Sequence, residues 1–363
     1  MSTLTASPDQ APARTYPSFS RPLWSRVLLT REMAVIGLFL LVYVFSSATV
    51  ENFSSPLTLY YLFLDNIPVL LIALPMTAVI ITGEIDLSVA SVVGLSSCLV
   101  GLLHVDAGLS MPVAIVLALL AGLACGAFNG FLVAYVGLPS LAVTIGTLAL
   151  YRGIAEGLLG TAAKTDFPQS WKDLATAQLG NSSPYPVVLV PIAVLALLIA
   201  WMLHFSSFGR GIFEIGLNDE AAHFTGVDVA RTKLLLFMIS GVVAALAGVY
   251  YTLRYGSARG DNATGMELQV VAAVLLGGVS IFGGRGALHG VIAGVLLIGV
   301  IRSAMTLEGL TVNVTNIVIG GLLVLSVLST SLLAGISALR SRRASGSRSG
   351  PDATAAGKRS LSS

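Results

Sequence analysis

Charged residues are scarce in this chain of 363 residues. Asp, Glu, Lys and Arg make up 10% of it, against about 25% in an average soluble domain, and 55% of the residues are hydrophobic. This balance excludes an ordinary soluble domain and indicates a polytopic membrane protein. The formal net charge is only +2, so we expect no nucleic-acid partner and a lipid bilayer as the main surrounding.

Cysteine, histidine and nucleotide-binding motifs are also scarce. Cys98 and Cys125 both lie inside apolar runs, where small buried side chains are expected rather than a disulfide or metal ligands. The four histidines lack HExxH or similar spacing, so we predict no metal site. The chain also lacks G-x-x-x-x-G-K-[ST], the motif that cradles nucleotide phosphates. We therefore predict no catalytic residues, no cofactor and no ATP hydrolysis by this chain itself.

Long apolar runs, in contrast, are abundant. A helix needs about 17–25 residues to cross a bilayer, and ten runs approach or exceed that length. We predict an all-α fold with about ten transmembrane helices, near residues 33–50, 66–82, 87–103, 111–136, 139–160, 187–205, 233–253, 267–282, 287–305 and 314–333. The polar segments 1–32 and 334–363 are expected to be disordered, the second of them basic.

The positions of lysine and arginine predict the orientation, because cytoplasmic loops carry an excess of them. With the N-terminus in the cytoplasm, 14 of the 20 Lys and Arg residues fall on the inside, and ten spans bring both termini there. The reverse orientation would invert this bias. Residues 161–186 then form an outside loop, which is interpreted either as a surface for a delivering protein or as a passive lid.

The stretch TGEIDLSVAS, residues 82–91, places two carboxylates between two apolar runs. Glu84 and Asp86 would each cost about 2.5–3.5 kcal/mol at the centre of a spanning helix, so they must lie in a turn, a water-filled cavity or a protein interior. Two interpretations stand. In one, Gly83 makes a cytoplasmic turn and Asp86 or Ser88 caps the next helix. In the other, the segment is a broken helix beside a transport path.

A second polar segment runs from Arg210 to Lys233 on the predicted cytoplasmic side. Asn218 or Asp219 can cap a short helix there, small alanines would let another surface approach closely, and a following glycine suits a left-handed turn. We predict that this helix binds a cytosolic partner through the pattern E-A-A-x-x-x-G, which comprises Glu220, Ala221, Ala222 and Gly226. The alternative is a solvated loop helix without a partner.

Two rows of small residues predict close contacts between helices. The pattern G-x-x-x-G-x-x-x-G occurs in the fourth run, as Gly122, Gly126 and Gly130, and at the start of the ninth, as Gly286, Gly290 and Gly294. Such rows let helix backbones touch in a membrane. Generic close packing explains them, and so does an inverted repeat of spans 2–5 and 7–10 in which the fourth and ninth spans are equivalent.

Polar residues within the predicted spans are the candidates for a substrate path. A polar solute needs hydrogen-bonding groups in an apolar passage, and five side chains could supply them: Asn129, Thr144, Thr147, Ser240 and Gln269. The alternative for each is a bond to a neighbouring backbone or helix. Arg152 and Glu156 lie one turn apart in the fifth run and are expected to pair with each other.

Four segments together resemble one known family. These are TGEIDLS, EAAHFTG, YGSARGDNATG at residues 255–265 and LLGGVSIFGGRGALHG at residues 275–290. In this order they are similar to the permease subunits of bacterial ABC sugar importers of the ribose and xylose type, and GSARGDNATG is most similar to members that handle rhamnose or autoinducer-2. The resemblance spans residues 33–333.

The resemblance implies a complex and a location. Two permeases, as two copies or a paralogous pair, would form the core with two cytosolic ATP-binding subunits and a periplasmic sugar-binding protein in the bacterial inner membrane. Loop 206–232 would contain the coupling helix, although the proline-ending consensus of the classical coupling motif is absent after Gly226. The competing function is an ion-coupled secondary carrier of a small polar solute, which would need carboxylates within its spans.

Overall fold

The computed structural model describes residues 30–180, 183–325 and 328. This part of the chain is helical and contains two isolated β-bridges but no β-strand. Its helices are α1 (Arg31–Thr49), α2 (Pro56–Ile81), α3 (Val89–Gly101, continued by a π-helical turn Leu102–Asp106), α4 (Met111–Ala134), α5 (Ser140–Leu159), α6 (Gln169–Thr176), α7 (Leu189–Phe205), α8 (Ser207–Leu217), α9 (Asp219–Phe224), α10 (Val229–Tyr255), α11 (Met266–Leu276), α12 (Leu288–Leu307) and α13 (Val312–Leu325).

The all-α membrane fold predicted from composition is confirmed. Within the described residues, seven helices are long and apolar enough to cross a membrane, or eight if α7 and α8, which meet at 68°, count as one bent span. Helices α11 and α13 are shorter apolar helices. Every predicted run coincides with a helix, but the count of about ten spans depends on these short and bent helices. The predicted disordered tail lies outside the described residues, and most of residues 1–32 do as well.

Two helices form the centre of the bundle. Helix α10 packs against α2, α3 and α4, and α2 packs against α10, α11 and α12. Because α2 is apolar on all sides it can be almost fully enclosed, and 18 of its 26 residues are buried. Helix α1, in contrast, has one buried residue and presents its leucines and Phe45 outward, as a lipid-facing helix does.

The contacts between helices are consistent with the repeat of spans 2–5 and 7–10 that the sequence suggested. If spans 2–5 are equivalent to spans 7–10, the contact of α10 with α4 must have a counterpart between α2 and α12, and the contact of α10 with α3 a counterpart between α2 and α11. Both counterparts are present. The pair α3 and α4 and its counterpart α11 and α12 are also in contact.

The two glycine rows have different roles within this pattern. Gly122, Gly126 and Gly130 face the backbone of α10, where an added Cβ would overlap carbonyl or Cα atoms. In the other row Gly290 and Gly294 face α11, and Gly286 precedes the first residue of α12. The rows therefore contact different spans, because one faces span 7 and the other faces span 8.

The connecting segments gather at two ends. At one end the segments 82–88, 206–228 and 277–287 touch one another; we call it the Glu84 end. At the other, the Asp261 end, segments 160–164 and 256–265 meet through paired backbone bonds between Lys164 and Ala258. Lys164 also forms an ion pair with Asp106 there, at 2.6 Å. Alternate connections thus lie at the same end, as successive membrane spans require.

Candidate functional site

The short helix predicted at the Glu84 end is present as α9. The Asn218 side chain accepts the N–H of Ala221 at 2.8 Å and so satisfies one of the free donors of the first turn. Asp219 and Glu220 lie in that turn, where the helix dipole favours negative charge. Gly226 ends the segment with φ +91°, in the left-handed region that glycine adopts without a steric penalty. Both termini of the helix are as the sequence predicted.

The two alanines of α9 face different surroundings. Ala222 is buried against the rest of the chain with 2% exposure, whereas Ala221 and Glu220 are exposed. The expectation that both alanines form a seat for another protein is therefore wrong for Ala222. Phe224, at the end of α9, is 88% exposed and was not predicted as a site residue.

Lys233 in the first turns of α10 connects α9 to the turn after α2. Its Nζ lies 2.7 Å from Glu84 Oε1 and 2.6 Å from Asp219 Oδ2. The Lys233 and Glu84 side chains are 11% and 15% exposed, whereas that of Asp219 is 49% exposed. Glu84 is therefore satisfied by a cation on another helix, and the two motifs that the sequence showed separately share one ion pair network.

The turn 82–88 is fixed by the helices around it. Gly83 adopts φ +84°, as expected of a turn glycine, and the Glu84 N–H binds back to the Val79 carbonyl. The main chain of Ile85 is held on both sides by α5, because its N–H donates to Ser140 Oγ at 3.2 Å and its carbonyl accepts from Thr144 Oγ1 at 3.1 Å.

Asp86 is the centre of a buried polar network. Its Oδ1 accepts both the Ser88 N–H, at 3.1 Å, and the Ser88 hydroxyl, at 2.6 Å, and its Oδ2 accepts the Ser240 hydroxyl of α10 at 3.0 Å. Ser88 Oγ in turn accepts from Asn129 of α4, and Tyr151 of α5 donates to the Asn129 amide oxygen. Asp86 is 2% exposed, so its carboxyl group has almost no access to water and depends on these donors.

This network corrects the predicted helix cap. Ser88 occupies the N-cap position of α3, but its side chain makes no capping bond, because its hydroxyl is engaged by Asp86 and Asn129. Asp86 accepts the N–H of the cap residue itself, and no N–H from the first turn of the helix. The turn is therefore stabilised by tertiary contacts rather than by local capping.

A third segment completes the Glu84 end. Ile81, the last residue of α2, accepts the Gly284 N–H at 2.8 Å, and Gly216 of α8 packs directly on both of them. A Cβ on Gly216 would overlap the Ile81 carbonyl oxygen and the Gly284 nitrogen. The helix that precedes α9 thus rests against the end of a spanning helix with no intervening side chain. Sequence reasoning missed Gly216, although it is a glycine inside the helical pattern GRGIFEIGL.

The five polar residues proposed for a substrate path fall into three groups. Asn129, Thr144 and Ser240 bind the turn 82–88, and Thr147 binds the Val143 carbonyl of its own helix. For these four the alternative interpretation fits, since each is buried and satisfied by the protein. Gln269, in contrast, lines a cavity.

The Asp261 end contains an arginine clamp. Arg152 of α5 donates to three carbonyl oxygens, of Gly260 at 2.6 Å, Asn262 at 2.8 Å and Ala90 at 3.0 Å. No ion pair with Glu156 is found among the described residues, so the predicted pairing is wrong. Gly94 allows this approach, since a Cβ there would collide with the guanidinium.

Comparison with known proteins places the chain in a family. Residues 58–327 match the family described as the branched-chain amino acid transport system / permease component. That match covers most of the chain, including both connecting motifs of the Glu84 end. The chain belongs to this permease family. The resemblance to a permease subunit that the four sequence segments indicated is thereby confirmed.

Two individual proteins are similar to the chain over about three quarters of its length. The chain is 35% identical over 275 residues to the "Autoinducer 2 import system permease protein LsrD" of Photorhabdus luminescens, which covers 74% of this chain and 81% of that protein. It is 36% identical, over 74% of this chain and 82% of the relative, to the protein of the same name from Yersinia enterocolitica. No solved structure matches the chain.

Proposed function

We propose that this permease is the transmembrane subunit of an ABC importer for a small sugar-like solute, with an autoinducer-2-like molecule favoured over rhamnose. Cytosolic ATP-binding subunits would hydrolyse ATP, a periplasmic binding protein would deliver the solute, and a second permease, a copy or a paralogue, would complete the path in the inner membrane. The choice of solute is supported by the names of the relatives, which are autoinducer 2 import permeases. The absence of a phosphate-binding motif from the sequence supports a separate ATPase.

The Lys233 network is the observation that carries this proposal. A subunit driven by a partner's ATPase must transmit a displacement from its surface into its spans. Helix α9 is exposed on one side, and on the other it is bound through Asp219 and Lys233 to Glu84, in the turn that joins α2 to α3. A push on α9 therefore acts on the spans through the buried ion pair.

Exposed apolar side chains mark the surface for the ATPase. Leu217, Phe224 and Phe282 all lie in connecting segments or helix ends at the Glu84 end and are 69%, 88% and 82% exposed. Exposed aromatic groups of this size outside the spans are typical of a protein interface. The excess of lysine and arginine in the segments of this end supports a cytoplasmic orientation.

Association and coupling test the proposal. The chain is expressed with its ATPase and binding-protein genes, solubilised mildly and captured, and co-purification of the ATPase is measured together with uptake of autoinducer-2. Phe224→Asp and Ala221→Trp should weaken ATPase capture and abolish uptake while the protein still inserts. Leu197→Ser, on the exposed lipid side of α7, serves as the matched surface control. Uptake that runs on an ion gradient without ATP would establish the secondary carrier instead.

A further inference from the structure

A cavity of about 600 Å³ opens at the Asp261 end between segment 256–265 and helices α10 to α13. Pockets that bind small ligands have volumes of about 300–1,000 Å³ and a few convergent polar groups. Here the polar groups are the amides of Gln269 and Asn316, the guanidinium of Arg302 and the hydroxyl of Thr306. These side chains come from three different helices and line the same space.

Arg302 is the unusual residue of this cavity. It lies on α12, five residues before the end of the helix, and it is exposed. Its guanidinium donates a hydrogen bond to the Gln269 amide oxygen at 3.0 Å. Within the described part of the chain it forms no ion pair. A lipid-facing arginine in a span is costly, so the guanidinium must meet water or a polar ligand in the cavity.

The charges around the cavity select the class of ligand. Asp261 lies at the rim, but both of its oxygens are engaged by Arg259, at 2.8 and 2.9 Å. This bidentate pairing lowers the pKa of Asp261 and keeps it charged. Among the described residues that line it, the cavity therefore offers one cation without an ion pair, amides and hydroxyls, but no free carboxylate for the ammonium group of an amino acid. The N–H groups of the guanidinium and of the neighbouring amides are hydrogen-bond donors that the hydroxyl oxygens of a polyhydroxylated solute can accept.

We propose that the Gln269–Arg302 cavity is a staging site that binds a neutral polyhydroxylated solute as it enters the permease. This inference rests on the proposed import function and assigns the class of solute to residues of this chain. Gln269, which lines this space, is retained as a substrate-path residue, and Arg302 is added to it. The site is open on one side, so it can receive the solute and release it without a tight fit.

Transport by the complete complex in membrane vesicles tests the site. ATP-driven uptake of autoinducer-2 and of D-ribose is measured for Arg302→Met, Gln269→Leu and the control Lys172→Met, which removes a cation from the same end but not from the cavity lining. Loss of a hydrogen bond to a charged group predicts at least a tenfold fall in uptake efficiency for the two cavity variants and less than a twofold change for the control. ATPase capture should be unaffected in all three.

Two results would contradict the inference in different ways. Wild-type vesicles that import either sugar, with both cavity variants within twofold of wild type, would overturn the staging site and leave the proposed function standing. Wild-type vesicles that import L-leucine and neither sugar would overturn both. A conservative variant, Arg302→Lys, separates recognition from folding. Expression at the wild-type level together with a raised apparent KM for uptake supports the site, whereas an unchanged KM opposes it.

Discussion

Replacement of Lys233 by methionine should destabilise the protein through the carboxylate that it leaves behind. Lys233 forms ion pairs with both Glu84 and Asp219, at 2.7 and 2.6 Å. The two partners differ in their access to water, since the Glu84 side chain is 15% exposed and that of Asp219 is 49% exposed. Removal of one partner from a buried pair costs about 3–5 kcal/mol, whereas an exposed ion pair contributes at most about 1 kcal/mol.

The expected order of stability follows from this difference. Lys233→Met should lose about 3–5 kcal/mol, because Glu84 remains charged and nearly without water. Asp219→Asn should lose less than about 1 kcal/mol, because the ion pair between Lys233 and Glu84 remains. The double variant Lys233→Met/Glu84→Leu should recover most of the loss, because no buried charge is left unpaired.

Thermal unfolding of the purified protein in detergent measures these differences. At about 2 °C per kcal/mol for a large chain, Lys233→Met should lower Tm by about 6–10 °C. Uptake should fall with Asp219→Asn even though Tm hardly changes, because that variant cuts the connection from α9 while the turn stays intact. Equal Tm losses for Lys233→Met and Asp219→Asn, or a double variant no more stable than Lys233→Met, would refute the assignment of the energy to Glu84.

Further variants test other contacts. Gly216→Ala should abolish uptake and lower Tm by several degrees, because its Cβ would overlap main-chain atoms; normal uptake would show that α8 can shift freely. Arg152→Met should reduce folded yield by leaving three carbonyls without their donor, and Arg152→Lys should recover it only partly; full recovery by lysine would argue against a fork-shaped contact. Asp86→Asn should keep most of the folded yield and Asp86→Leu should not, as monitored by size-exclusion chromatography; equal losses would show that the charge itself is needed. A cysteine at Thr225 should resist, and one at Ser170 should react with, membrane-impermeant thiol reagents in intact cells; the opposite labelling would reverse the orientation.

Local patterns in the sequence were sufficient where the determining interaction is local. The apolar runs located every spanning helix, because a membrane helix needs only a continuous apolar stretch. Asn218 and Gly226 predicted the start and end of α9 for a similar reason: a cap and a left-handed turn depend on residues within one helical turn.

Predictions failed where a distant residue decides the outcome. In one interpretation of the sequence Asp86 or Ser88 caps α3, but the Ser88 hydroxyl is bound by Asp86 and by Asn129, which lies 41 positions along the chain. Arg152 was expected to pair with Glu156, one turn away on its own helix, yet it binds carbonyls more than 100 positions distant in the chain as well as Ala90. In a membrane, polar groups need internal partners, and the partner is chosen by tertiary structure.

The same constraint supports the coupling role proposed for the Glu84 end. The turn 82–88 contains two carboxylates, and both are bound by groups of α10: Lys233 pairs with Glu84, and Ser240 donates to Asp86. Ser88 also donates to Asp86 from within the turn, and α5 holds the intervening main chain. Since the penalty for leaving such groups unpaired is several kcal/mol, the turn cannot separate from these helices when α9 is displaced. In the proposed mechanism it would carry α2, α5 and α10 with it. The carboxylates that would be too costly within a membrane span therefore connect the surface helix to the spans.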